Sequence, residues 1–175
     1  MNQKELEKYI YTYGKDLYSF CCFVTHNRQE ADDLYQDTFL KLYEIGEKVV
    51  ILNNPKSYLM SIAVNLYRNY RRKLSIRQRI TGTEVSVEDE LLEIPAEGEP
   101  EEEKIIRSEE HLMVRRAVNK LPDKYRIPIL LFYMEELPLT DIARILNMPE
   151  GTIKSRIHRA KKLLKQKLEE MQYEK

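Results

Sequence analysis

LPLTDIARILNMPEGTIKSRIHRAKKLLKQKL, residues 137–168, reads as two helices separated by a tight break. Thr140 is placed to cap the first, whose inward face is Ile142, Ala143 and Leu146. Asn147-Met148-Pro149 ends it, because Asn tolerates a left-handed turn and Pro149 cannot extend a helix but can start one. On the second helix Ile153, Ile157, Ala160, Leu164 and Leu168 recur every three or four residues as an apolar stripe. Lys154, Ser155, His158, Arg159 and Lys162 fall on the opposite side and form a reading surface. Two helices joined by so short a turn are the geometry that sets a second helix into the DNA major groove. From Pro149 to Leu168 there are seven basic residues and one acid, net +6, which attracts phosphate. A basic amphipathic helix lying on an acidic protein or membrane surface has the same pattern and stays open at this point.

The remaining charge is separated along the chain. Overall the 175 residues balance to net zero, but Arg68 to Arg79 carries six basic residues and no acid, and Glu84 to Glu110 carries a net −10. With 42% hydrophobic residues the chain can bury a core as one domain or as two small ones. No apolar run approaches the roughly 18–20 residues of a membrane span, and the charged start, MNQKELEKY, is no secretory signal, so a cytoplasmic protein is expected. Cys21 and Cys22 are adjacent on a helical stretch, where neighbours point apart; we expect core filler at one and a partly buried thiol at the other, with a vicinal redox pair as the alternative.

Working outward, residues 2–25 carry a helical pattern through Leu6, Ile10, Leu17, Phe20 and Val24, with Gly14 expected to break it. Asn27 looks like the cap of a helix from Arg28 to about Ile45, stopping at Gly46. On that helix Ala31, Leu34, Thr38 and Leu42 point inward, leaving Asp33, Gln36, Asp37 and Leu40 as an outward patch suited to a basic protein partner. The acids near its start also oppose the helix dipole, the plain structural account of them. The loop GEKVVILNN, residues 46–54, is apolar at Val49 to Leu52, and most of it is expected to tuck into the core. A helix from Pro55 to about Ile76 has Leu59, Ile62, Ala63, Leu66 and Tyr70 as its core face, with Tyr67, Arg68, Asn69, Arg71, Arg72 and Lys73 exposed. Aromatics beside cations suit unstacked bases and phosphates, although cations also favour any helix C-terminus.

The pattern collapses from Thr81 to Glu103, an acidic linker with Gly82, Pro95, Gly98 and Pro100. Helical spacing returns through Ile105, Leu112, Val114, Val118 and Leu121, breaks at Leu121-Pro122-Asp123, and resumes to Met134 with Pro128 inside and a kink expected there. With no strand pattern, the chain reads as all-α: two small helical domains, 1–80 and 104–175, joined by an acidic flexible linker at 81–103, the second containing the helix-turn-helix.

Four motifs in order, AxDLxQDTFLKLY (31–43), SYLMSIAVNLYRNYRRK (57–73), LPDKYRIPILLFYMEELPLTDIARIL (121–146) and MPEGTIKSRIHRAKKLL (148–164), resemble a bacterial RNA polymerase sigma factor of the extracytoplasmic-function (ECF) branch of the sigma-70 family. The resemblance implies a transcription initiation factor that brings core polymerase to chosen promoters and stabilises the melted minus-ten strand. Asp33, Leu34, Gln36, Asp37 and Phe39 would dock on the beta-prime clamp helices, and the beta flap is a further expected contact. Asn53, Asn54, Asn65, Arg68, Asn69, Arg71 and Arg72 would hold the minus-ten strand. Lys154, Ser155, His158 and Arg159 would face minus-thirty-five bases, with Thr152, Arg156 and Lys162 on phosphates; Arg159, which can fork onto guanine, is the strongest expected base contact. An anti-sigma partner covering both domains is implied, as is a linker whose acids act as a placeholder in the polymerase's RNA channel. No cofactor, metal or small-molecule substrate is expected, nor any catalysis: His26, His111 and His158 are scattered and five glycines include no phosphate-cradling loop. Two rivals remain at this point, a dimeric helix-turn-helix regulator acting without polymerase and a protein-interaction module.

Overall fold

The computed structural model describes residues 2–25, 27–46, 54–82, 110 and 112–173, and every regular element among them is helical. The acidic linker and most of the loop 46–54, including Asn53, lie outside these residues, as do His26 and His111.

Helix α1, Gln3–Val24, opens with a reciprocal capping box between Asn2 and Glu5 and runs unbroken through Gly14. The expected break is therefore absent. Gly14 is buried, and a Cβ there would stand 3.0 Å from the Tyr35 hydroxyl of the next helix, so the residue permits close approach rather than a turn. Helix α2, Arg28–Ile45, begins at Asn27, whose side chain accepts from the Glu30 amide at 2.8 Å, and ends at Gly46 with φ 61°. Its inward stripe is as read, and the polar member, Thr38, satisfies its hydroxyl on the Leu34 carbonyl at 2.6 Å. Cys21 and Cys22 are both buried free thiols, raised in pKa by burial first; neither is the partly exposed thiol expected of one of them.

Helix α3, Pro55–Thr81, runs five residues past Ile76 to a left-handed stop at Gly82. Leu59, Ile62 and Ala63 are buried as expected, but two tyrosines exchange roles: Tyr70 is 45% exposed and Tyr67 only 1%. The cause is a second packing partner. Met60, Val64 and Tyr67 form another buried face of α3, against which α6 and its neighbours pack.

That partner is the second helical unit. Helix α4, over residues 112–119, buries Arg115, Ala117 and Val118 and leaves Val114 exposed, against the expectation for Val114. The Arg115 guanidinium donates to the Cys22 carbonyl at 2.6 Å and stacks over the Phe23 ring, which explains a buried cation. After the break at Leu121, helix α5, Asp123–Ile129, passes into a π-helical turn, Leu130–Met134. Pro128 supplies no backbone donor, and two residues beyond it the chain widens, with the Glu135 amide reaching five residues back to the Leu130 carbonyl. A wider turn, rather than a simple kink, thus accommodates the proline.

Helix α6, Leu139–Leu146, starts behind Pro138, whose carbonyl takes the Asp141 and Ile142 amides; Thr140 is exposed inside the first turn and caps nothing. Asn147 has φ 52° and ψ 54°, and the Met148 amide closes on the Ala143 carbonyl, a left-handed helix end. Helix α7, Glu150–Tyr173, follows at once, with the Pro149 carbonyl taking its first two amides. Ile153, Ile157 and Ala160 are buried, each worth roughly 1–3 kcal/mol, and hold α7 against α5 and α6.

Candidate nucleic-acid interface

Burial of one face of α7 dictates the other. With Ile153, Ile157 and Ala160 turned inward, Lys154, Ser155, His158, Arg159 and Lys162 are exposed together, and Thr152 and Arg156 flank them half-buried. The Ser155 hydroxyl donates to the Gly151 carbonyl at 3.0 Å and keeps its lone pairs outward. The helix-turn-helix angle is locked by the left-handed Asn147, so the basic face projects as one rigid surface.

Helix α3 carries the second candidate surface. Asn65, Asn69 and Arg72 are exposed, and Arg68 and Arg71 are half-buried. Asn54 is engaged as the cap of α3, accepting from the Lys56 amide at 3.0 Å, so its side chain organises the helix start rather than standing free as a base reader. Burial and then the charge of Arg156 push the Arg68 guanidinium's pKa down, so cations of α3 and α7 lie within each other's field.

On α2 the outward patch is present: Asp33, Gln36 and Asp37 are exposed around Leu40, which is 61% exposed. Leu34 and Phe39 are buried, Phe39 edge-on to Tyr35, and they support the patch from beneath. Tyr43, also exposed, extends it; its position one turn beyond Leu40 on the same helix was a readable signal that the sequence analysis passed over. Tyr67, Arg126 and Glu135 were missed for a different reason, since their partners are distant in sequence.

The sigma-70 region 2 family model matches residues 10–77, and the sigma-70, region 4 model matches residues 111–164. The ECF RNA polymerase sigma factor SigW of Bacillus subtilis is 32% identical over 163 residues, 91% of this chain and 86% of that one. The chain belongs to the ECF sigma factors of the sigma-70 family. It is an alternative-sigma-type transcription initiation factor, which removes the self-sufficient dimeric regulator from consideration. Another relative, the ECF sigma factor SigM of Bacillus subtilis, is 28% identical over 158 residues, 87% of this sigma factor and 88% of that one. In fold, this sigma factor is similar to RpoE of Bartonella quintana, solved in complex with the anti-sigma factor NepR, at a TM-score of 0.78 and 24% identity over 95% of this chain and 98% of that one. CnrH, solved with the cytosolic domain of CnrY, matches at a TM-score of 0.66 and 18% identity over 96% and 90% of the two chains. Sigma factors are initiation factors rather than enzymes, and among the described residues no cluster fit to hold a metal and no helix long and apolar enough to cross a membrane is present.

Proposed function

We propose that this sigma factor divides its work between residues 1–80 and 104–175, tied by 81–103. The first unit docks on the beta-prime clamp helices through Asp33, Gln36, Asp37 and Leu40, with Leu34 and Phe39 holding that surface in shape. Asn65, Arg68, Asn69, Arg71 and Arg72 of α3 then follow the melted minus-ten strand, and Asn53 and Asn54 open the same path from the loop. Unstacked bases cost a few kcal/mol each, which a cationic, aromatic track offsets. The second unit contacts the beta flap and lays α7 into the minus-thirty-five major groove, with Lys154, Ser155, His158 and Arg159 at base edges and Thr152, Arg156 and Lys162 at phosphates. The protein acts in the cytoplasm under an anti-sigma factor, as the complex of Bartonella RpoE with NepR suggests for this fold.

The observation that carries this reading is the joint exposure of the α7 basic face opposite a fully buried stripe. Run-off transcription with core polymerase over a library of promoter-like DNA tests it. Discrete starts are expected only with both proteins. Asp37→Arg should weaken all of them by reversing charge on the polymerase side. Arg159→Ala should relax the sequence preference at one minus-thirty-five position, at a cost of about 1–3 kcal/mol. Starts that are indifferent to both substitutions would move these contacts elsewhere.

A further inference from the structure

The second buried face of α3 is closed by polar groups of the other unit as well as by apolar ones. Tyr67 of α3 accepts from the Arg126 guanidinium at 2.8 Å and lies 3.2 and 3.3 Å from the two carboxylate oxygens of Asp123, to which it donates. Arg126 is itself hydrogen-bonded to Asp123, and the Arg71 guanidinium stands 4.0 Å from the same carboxylate. One turn from the start of α3, Ser57 donates to Asp141 of α6 at 2.6 Å.

An acid of one unit therefore sits between a hydroxyl and a guanidinium of the other, on the stretch of α3 proposed to follow the promoter strand. A phosphate brings the same charge and the same acceptor oxygens to such a site. The arrangement is also incompatible with engaging both promoter elements. Minus-ten and minus-thirty-five are about 25 base pairs apart, on the order of 80 Å of duplex. Here Arg68 and Arg156, one from each reading surface, are close enough to repel.

We propose that the free sigma factor closes on itself, with Asp123 occupying on α3 the place that a promoter-strand phosphate takes when the two units part. This rests on the reading of α3 as the strand-facing helix. Closure lowers the apparent affinity for the strand by the fraction of molecules that are open, so promoter binding is gated before any second protein acts. Tyr67 belongs to both states: buried and bonded to Asp123 in the closed form, it is uncovered beside Arg68 and Arg71 in the open one.

Spin labels on Lys8→Cys and Glu169→Cys, exposed positions in α1 and α7, report the distance between the units in the free full-length protein; the native thiols are buried. The parent should give one short, narrow distance. Asp123→Asn should lengthen and broaden it, and should tighten binding of a single-stranded minus-ten oligonucleotide by about tenfold, the weight of one charge-assisted contact. Ser57→Ala changes no charge, so a smaller gain in strand affinity with that variant separates opening from added electrostatic attraction. Helical content is checked by circular dichroism for each variant. Unchanged distances in both variants would overturn the closed state. Longer distances with unchanged strand affinity would overturn the competition and locate the fault in the reading of α3, which Arg71→Ala in transcription tests separately.

Discussion

Gly14 shows how one residue carries two opposite meanings. Read locally, a glycine in a helix is a weak point worth roughly 0.5–1 kcal/mol against alanine. Here it admits the Tyr35 hydroxyl, whose ring is fixed edge-on between Tyr18 and Phe39 and has little room to withdraw. Gly14→Ala is thus expected to lower the melting temperature, and Gly14→Ala with Tyr35→Phe to recover it and rise above Tyr35→Phe alone, since the helix then gains the alanine without the clash. A thermal double-mutant cycle reads this directly. Asn27, Gly46 and Asn147 were legible because capping and left-handed turns are settled within four residues of chain. Gly14 was not, because its reason lies on another helix.

The turn between α6 and α7 is where local rules fix a functional angle. Asn147 at φ 52° holds a conformation that costs most residues about 1–2 kcal/mol. Asn147→Ala should destabilise the protein by about that amount in urea denaturation while Asn147→Gly should be close to neutral. The stripe and opposing basic face of α7 were readable because a helix with one packing partner follows a single period. Helix α3 was misread at Tyr67 and Tyr70 because it has two partners, and a period of 3.6 cannot say which of two faces is also covered. The same limit hid the use of Asn54 as a cap when its spacing also suited a base reader.

At the scale of the molecule, charge at the junction of the two units sets a response to pH. Glu135, 2% exposed beyond the π-helical turn, faces Lys56 of α3 at 3.2 Å, with Asp16 of α1 on the same lysine at 2.7 Å and the Cys21 thiol nearby. Burial pushes the Glu135 carboxyl up to about 7 against the pull of Lys56. In an open form it returns toward its ordinary value of 4.5, so the closed form binds the extra proton. Closure is then strongest below that ordinary value, weakens as pH rises through about 7, and is insensitive above it until the lysine titrates. The spin-label distance should accordingly lengthen from about pH 5 to about pH 8, and Glu135→Gln should flatten the profile. Two helical units were legible from composition and charge; their contact was not, because it depends on pairs such as Lys56 and Glu135 that are far apart along the chain.

The proximity of Arg68 and Arg156 carries one more implication, for ionic strength. Their repulsion opposes closure and, being partly in water, is screened within a Debye length of about 8–10 Å, whereas the buried bonds from Arg126 to Tyr67 and Asp123 are screened far less. Added salt therefore relieves the strain of the folded-together form at the same time as it weakens phosphate attraction in the parted one. A rise in cytoplasmic potassium, as in osmotic shock, acts twice in one direction on this sigma factor, and dilution acts twice in the other.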